Sequence, residues 1–211
     1  MSINNFIAHL FSFILQPLLM PFYSIALLFT YTNFYEIYSK QMLWFFIVIF
    51  VFSYFMPALF ILVLKKLKLV KNYALTDKKD RHLPYLMTCF SNAILVFYFY
   101  QSVPVYSWFL GLLAIPVIIL IFAFIVNLFW RISPHMLGIG GLIGSILSVC
   151  FNIKGLNPFV LFVVLFILAG CLAVSRLYLK RDTHMQMYVG FIAGFILAYL
   201  CVWKNLFQLI L

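Results

Sequence analysis

Long runs of apolar residues without any charge dominate this sequence. Residues 157–174, which read NPFVLFVVLFILAGCLAV, form one such run. A helix needs about 20 mostly apolar residues to cross the hydrocarbon core of a bilayer. A chain of 211 residues that is 67% hydrophobic and only 9% charged cannot bury all this apolar surface in a soluble fold. The sequence therefore predicts an integral, multi-pass membrane protein.

The same hydropathy pattern predicts an all-α, polytopic transmembrane helix bundle of six to seven spans. No loop is long enough to hold a second domain, so residues 1–211 are expected to form a single integral membrane domain. The N-terminal segment lacks the basic start and the cleavage site of a signal peptide, and it is expected to remain as part of the first span. The predicted spans are 6–30, 41–64, 84–101, 106–129, 135–152, 158–175 and 185–204.

Prolines and small residues add detail to this prediction. Pro17 and Pro21 are expected to kink or delay the first helix, because proline cannot donate a helical hydrogen bond. Small residues spaced four apart let helix backbones approach closely in lipid. They recur in the late spans, as in GIGGLIG from Gly138 and in the pair Gly190 and Gly194. The late spans are therefore expected to pack tightly.

Positive charge is concentrated in the loops that follow even-numbered spans, a face here called side A. The chain has 14 Lys and Arg residues and a formal net charge of +10. Only Lys40, Lys154 and Lys204 lie away from side A. A cationic membrane face attracts anionic lipid headgroups or phosphorylated substrates. We therefore expect the bilayer and a phosphorylated lipid as partners, and no nucleic acid.

Each of the three side A loops also contains one histidine, namely His82, His135 and His184. Because two spans separate each loop from the next, all three loops lie on one face of the bundle and are expected to line one pocket. Arginine binds phosphate through a planar fork of donors, and histidine acts as a nucleophile or general acid near neutral pH. The four acidic residues are too few and too scattered for carboxylate-bound magnesium. The expected chemistry therefore uses no metal and no cofactor.

Three short motifs occupy these loops. KKDRHLP begins at Lys78, ISPH begins at Ile132, and SRLYLKRDTHMQMYVG runs from Ser175 to Gly190. In their order and two-span separation they resemble the motifs of the type 2 phosphatidic acid phosphatase superfamily, whose members are membrane lipid phosphatases. The resemblance implies a phosphatase-like core over residues 65–204.

The resemblance also implies roles for individual residues. His135 would protonate the leaving oxygen, and Ser175 and Gln186 would support the site. Lysine side chains would assist from a different angle, because Ala74 stands where the family's first lysine falls. The residues that would bind the phosphate are Arg81, Lys78, Lys79, Ser133 and Arg176.

The third motif departs from the family pattern at its centre. Asp182 occupies the position of the nucleophilic histidine, and His184 lies two residues later. Three alternatives follow: His184 attacks after a shift of the loop, Asp182 is itself phosphorylated, or the protein binds a lipid phosphate without hydrolysing it. The ungapped alignment keeps Ser175, Arg176 and Gly190 in register and favours Asp182 at the nucleophile position. If His184 attacks, residues 180–185 must form a loop or a helix start.

The expected function is that of a metal-independent phosphatase-like protein acting on a lipid phosphate or pyrophosphate. Its substrate would be a phosphatidyl phosphate, a polyprenyl pyrophosphate or a lipid A phosphate, as the resemblance implies. The alternatives are a catalytically impaired relative that binds or moves phosphorylated lipids, and an unrelated small transporter or assembly factor. A bacterial inner or plasma membrane is the implied location. The charge rule places side A in the cytoplasm, whereas bacterial members of that family mostly act at the outer leaflet.

Overall fold

The computed structural model describes residues 3–70, 79–102, 105–152 and 157–204, and every regular element within these ranges is helical. Seven helices are long and apolar enough to cross a membrane, which confirms the prediction of a multi-pass helical protein. In chain order they are Asn5–Tyr31, Phe34–Lys66, His82–Ser102, Ser107–Phe129, Pro134–Phe151, Phe159–Tyr178 and His184–Trp203.

Breaks in the first two spans raise the number of α-helices above the number of spans. The last five α-helices each form one span. The α-helices are α1 (Ile3–Ile14), α2 (Met20–Tyr31), α3 (Phe34–Tyr38), α4 (Met42–Phe50), α5 (Met56–Lys66), α6 (His82–Ser102), α7 (Ser107–Phe129), α8 (Pro134–Asn152), α9 (Phe159–Tyr178) and α10 (His184–Trp203).

Pro17 interrupts the first span, as the sequence predicts. α1 ends at Ile14, a single 3-10 turn covers Pro17–Leu19, and α2 starts with Pro21 in its first turn. The carbonyls in the last turn of a helix lose their helical partners. The carbonyl oxygen of Ser12 lies in that turn and is 3.2 Å from Nε2 of His135 in α8. The break in the first span therefore leaves the carbonyl oxygen of Ser12 available for a hydrogen bond with His135, one of the predicted site residues.

The second span begins at Phe34, seven residues before the predicted start. Phe34 is 2% exposed and stacks on Phe109, with ring centroids 5.0 Å apart, and its ring also packs edge-on against Phe29 at 5.0 Å. Aromatic packing thus holds the start of this span in the core. A single π-helical turn at Val51–Phe55 joins α4 to α5, a feature that hydropathy does not reveal.

Helix α8 forms the centre of the bundle and packs closely against α10. A Cβ atom added at Gly140 would overlap the backbone oxygen of Phe191, and one added at Gly194 would overlap the backbone oxygen of Leu137. The two backbones are therefore in direct contact, as expected for small residues at a helix interface in lipid. This contact holds the start of α8 and the start of α10 side by side, which places two of the side A loops together.

Replacing Gly194 with leucine should separate α8 from α10 and lower the free energy of unfolding by about 3 kcal/mol or more, because backbone atoms cannot move aside for the new side chain. Gly170 on α9 is the matched control, since nothing lies within 4 Å of a Cβ added there. The measurement is the thermal unfolding midpoint of both variants in detergent. Equal midpoints for Gly194→Leu and Gly170→Leu would contradict the packing described here.

Candidate functional site

Described residues from each of the three side A loops meet at one end of the bundle and are joined by hydrogen bonds from arginines. Arg81 closes a 3-10 turn before α6, and its Nη1 donates to the carbonyl oxygen of Ile132 at 3.1 Å. Nη2 of Arg131 donates to the carbonyl oxygen of Arg181 at 2.6 Å. The loop before α6, the loop before α8 and the loop before α10 therefore form one cluster, as the number of intervening spans predicts.

Asp182 lies at the centre of this cluster and its side chain is fully buried. Its Oδ2 accepts hydrogen bonds from Oγ of Ser133 and from Nε of Arg176, each at 2.8 Å. Its Oδ1 lies 3.7 Å from Nη2 of Arg131. Hence the carboxylate accepts hydrogen bonds from the hydroxyl of Ser133 and from the guanidinium N–H of Arg176, two donors that the family resemblance implies would bind a phosphate.

The charges in this cluster shift the pKa values of its loop residues. Burial raises the pKa of Asp182, but the positive charge and hydrogen bond of Arg176, with the hydrogen bond of Ser133, outweigh burial and hold the pKa below its ordinary value. Burial and the nearby charge of Arg81 lower the pKa of Arg131. Arginine begins from so high a pKa that it stays protonated. The site therefore keeps its full charges at neutral pH.

The loop that carries Asp182 is shaped by its own sequence. After α9 ends, Lys180 adopts a left-handed conformation with φ of 51°, and the backbone N–H of Arg181 donates to the carbonyl oxygen of Arg176 at 3.1 Å. Thr183 is then the N-cap of α10 and forms a capping box with Gln186. This confirms that residues 180–185 contain a helix start. It also shows that the amide oxygen of Gln186 accepts from the backbone N–H of Thr183, at 3.0 Å.

A cavity of about 440 Å³ opens at the arginine cluster and continues between the helices. This volume lies in the range of about 300–1,000 Å³ that is usual for small-molecule sites. Its polar end is lined by Arg81, Arg131, Arg176 and Arg181. The remaining wall is largely apolar and includes small residues such as Gly138 and Gly141 from α8.

His135 also lines this cavity, close to its polar end. Its Nε2 is bound to the carbonyl oxygen of Ser12, whereas its Nδ1 is buried without a hydrogen-bond partner. The structure therefore brings Arg81, Arg176 and His135 to one cavity, with Asp182 directly behind Arg176. The sequence predicts this shared cavity for Arg81, Arg176 and His135, but Asp182, which the ungapped alignment places at the nucleophile position, is not among the residues that line it.

Other predicted site residues lie elsewhere. His184 is exposed at the start of α10, and it lines a separate surface depression with Asp182 and Gln186. The hydroxyl of Ser175 donates within α9 to the carbonyl oxygen of Cys171 at 2.7 Å. Lys78 and the side chain of Lys79 lie outside the described residues.

Several residues that line the cavity lie outside the three sequence motifs and were not predicted as site residues. Tyr85, Thr88 and Asn92 line the cavity from α6, about one, two and three turns beyond Arg81. Their spacing of three and four residues places them on one helix face. Polar residues at that spacing in an otherwise apolar span are the signal that identifies them.

Neither a known protein-family profile, nor a curated protein sequence, nor a solved structure matches this chain. The site is therefore interpreted from its own geometry and chemistry.

Proposed function

We propose that this protein binds a phosphorylated lipid and does not hydrolyse it. The phosphate lies among Arg81, Arg131 and Arg176, and the hydrocarbon chain lies in the apolar part of the cavity. The observation that carries this proposal is the cavity itself, whose cluster of arginines at one end is followed by an apolar interior. That distribution of charge and apolar surface matches an amphiphile with an anionic head.

The charge balance at the mouth favours an anion. Four arginines line this end of the cavity, and two of them, Arg131 and Arg176, pair with the carboxylate of Asp182. Two of these guanidinium groups lie where water is partly excluded, since Arg81 is 3% exposed and the side chain of Arg176 is 11% exposed. Electrostatic attraction is stronger in such surroundings than in bulk water. Arginine also matches phosphate geometry through two parallel N–H donors.

The position of Asp182 favours binding over hydrolysis. Its Oδ2 already accepts two hydrogen bonds, and the residue is not among those that line the cavity. A negatively charged group behind the phosphate site also repels the phosphate instead of attacking it. His184, the other predicted nucleophile, lines the surface depression and not the cavity. Neither group stands where a lipid phosphate would meet it.

Hydrolysis through His135 is the second candidate function, and one observation favours it. Nδ1 of His135 is buried without a partner in the same cavity as Arg81 and Arg176. An imidazole nitrogen facing a bound phosphate is able to act as a nucleophile or as a general acid.

The proposal is tested with the protein reconstituted in nanodiscs and titrated with dioctanoyl phosphatidic acid and with dioctanoylglycerol. We expect the phosphorylated lipid to bind at least about 100-fold more tightly, since the two lipids differ only in a group that the arginines recognise. Equal affinities would contradict the proposal.

Phosphate release is measured in the same nanodiscs in the presence of a chelator. No release above the rate of empty nanodiscs is expected. Release that disappears in His135→Gln would instead establish the second candidate and overturn binding without hydrolysis.

A further inference from the structure

Beyond the arginines, the cavity reaches two polar side chains that phosphate binding does not explain. Ser53 and Asn92 are 1% and 2% exposed, and both line the cavity. Asn92 follows His82, the first residue of α6, by ten residues. At 1.5 Å per residue it therefore lies about 15 Å further along the helix, within the apolar part of the membrane.

The hydrogen bonds of these two side chains are incomplete. Nδ2 of Asn92 donates to the carbonyl oxygen of Thr88 at 2.8 Å, but its Oδ1 is buried without a partner. Oγ of Ser53 is also buried without a partner, although a serine in a helix often donates to a carbonyl one turn back. Buried polar groups are nearly always hydrogen-bonded. Oδ1 of Asn92 and Oγ of Ser53 both lie on the wall of one cavity, and they therefore indicate a ligand that supplies their missing hydrogen bonds.

The backbone around Ser53 is also unusual. Ser53 lies in the π-helical turn Val51–Phe55, and single π turns inside α-helices occur frequently at functional sites. The hydroxyl of Ser91 on α6 donates to the carbonyl oxygen of Phe52 at 2.6 Å. This bond fixes the π turn against α6, the helix that carries Asn92. Ser53 and Asn92 thus lie on two segments, the π turn and α6, that are held together by this hydrogen bond.

We infer that Ser53 and Asn92 form a second subsite, which recognises a hydroxyl or amide group within the hydrophobic chain of the bound lipid. The inference rests on the proposed function for the position of the phosphate. A hydroxyl or N–H on the chain donates to Oδ1 of Asn92, and a hydroxyl also exchanges a hydrogen bond with Oγ of Ser53. A plain hydrocarbon chain leaves both groups unsatisfied, so it binds less well.

The test uses nanodisc-reconstituted protein and two kinds of probe: octadecyl phosphate, and a series of octadecyl phosphates hydroxylated at successive positions along the chain. We expect one region of the chain to give a hydroxylated probe that binds about tenfold more tightly than octadecyl phosphate. That gain should be lost in Asn92→Leu and reduced in Ser53→Ala. Asn127→Leu is the matched control, because Asn127 is fully buried on α7 and is not among the cavity residues.

Each outcome decides the inference. A position-dependent gain that Asn92→Leu removes and Asn127→Leu preserves supports the subsite. If octadecyl phosphate binds but no hydroxylated probe binds more tightly, the subsite is overturned while phosphate binding stands. If the gain survives in both Asn92→Leu and Ser53→Ala, the hydroxyl is recognised elsewhere and the subsite is again overturned. If no probe binds the parent protein, the subsite and the proposed function both fail.

Discussion

Replacing Arg176 with alanine should weaken the binding of dioctanoyl phosphatidic acid by about 100-fold, which corresponds to about 2.7 kcal/mol. Arg176 lines the polar end of the cavity and its side chain is 11% exposed, so its charge-assisted bonds to phosphate act where water is scarce. Lys66 is exposed at the end of α5. Lys66→Ala should change the affinity by less than about threefold, because surface charges are screened.

The alanine variant also removes a partner of the buried Asp182, and such a loss destabilises a protein by about 3–5 kcal/mol. The comparison is therefore repeated in an Asp182→Asn background, where no buried carboxylate is left unpaired. Adding Arg176→Ala to that background should again weaken binding strongly. Equal affinities for the Arg176→Ala and Lys66→Ala proteins, both verified as folded, would contradict the role given to Arg176.

Replacing Asp182 with asparagine should tighten the binding of the same lipid by about tenfold. The carboxylate is the negative charge that lies directly behind Arg176, and at an effective dielectric of about 20 its repulsion of a nearby phosphate is on the order of 1–2 kcal/mol. Asparagine still accepts hydrogen bonds from Ser133 and Arg176 through its amide oxygen. The measurement is the Kd of the variant in nanodiscs.

The same substitution should make the protein less stable, because Arg131 and Arg176 lose their shared counter-charge. A glutamate at this position is the control for charge, since Asp182→Glu keeps the repulsion and should not tighten binding. If a folded Asp182→Asn protein binds the lipid more weakly than the parent, the carboxylate helps to hold the phosphate, and our description of the site is incorrect.

The membrane fold is largely predictable from this sequence, because uncharged apolar runs leave few alternatives to a transmembrane helix. The break at Pro17 follows from the chemistry of proline alone. The early start at Phe34 cannot be predicted in this way. It depends on the packing of the Phe34 ring against Phe29 and Phe109, which belong to two other helices, α2 and α7. The π turn around Ser53 likewise depends on a hydrogen bond from α6.

The sequence predicts which loops form the site, but it does not predict which side chains in those loops form hydrogen bonds with each other. Counting spans is sufficient to bring Arg81, His135 and Arg176 together, because helices that cross the membrane alternate in direction. The capping role of Gln186 was open to prediction as well, since Thr183 and Gln186 have the spacing of a capping box. That Asp182 takes the hydroxyl of Ser133 could not be predicted, because it depends on the relative positions of α8 and α10.

Photolabelling tests most directly whether a phosphorylated lipid occupies the cavity. The probe is an alkyl phosphate with a diazirine in its chain, and the labelled residues of α6 are identified by mass spectrometry. Binding in the cavity predicts labels on the face formed by Pro84, Thr88 and Asn92, and competition by unlabelled dioctanoyl phosphatidic acid. Labels confined to the lipid-facing Phe90 and Phe97, which are 65% and 62% exposed, with no competition by the unlabelled lipid, would contradict it.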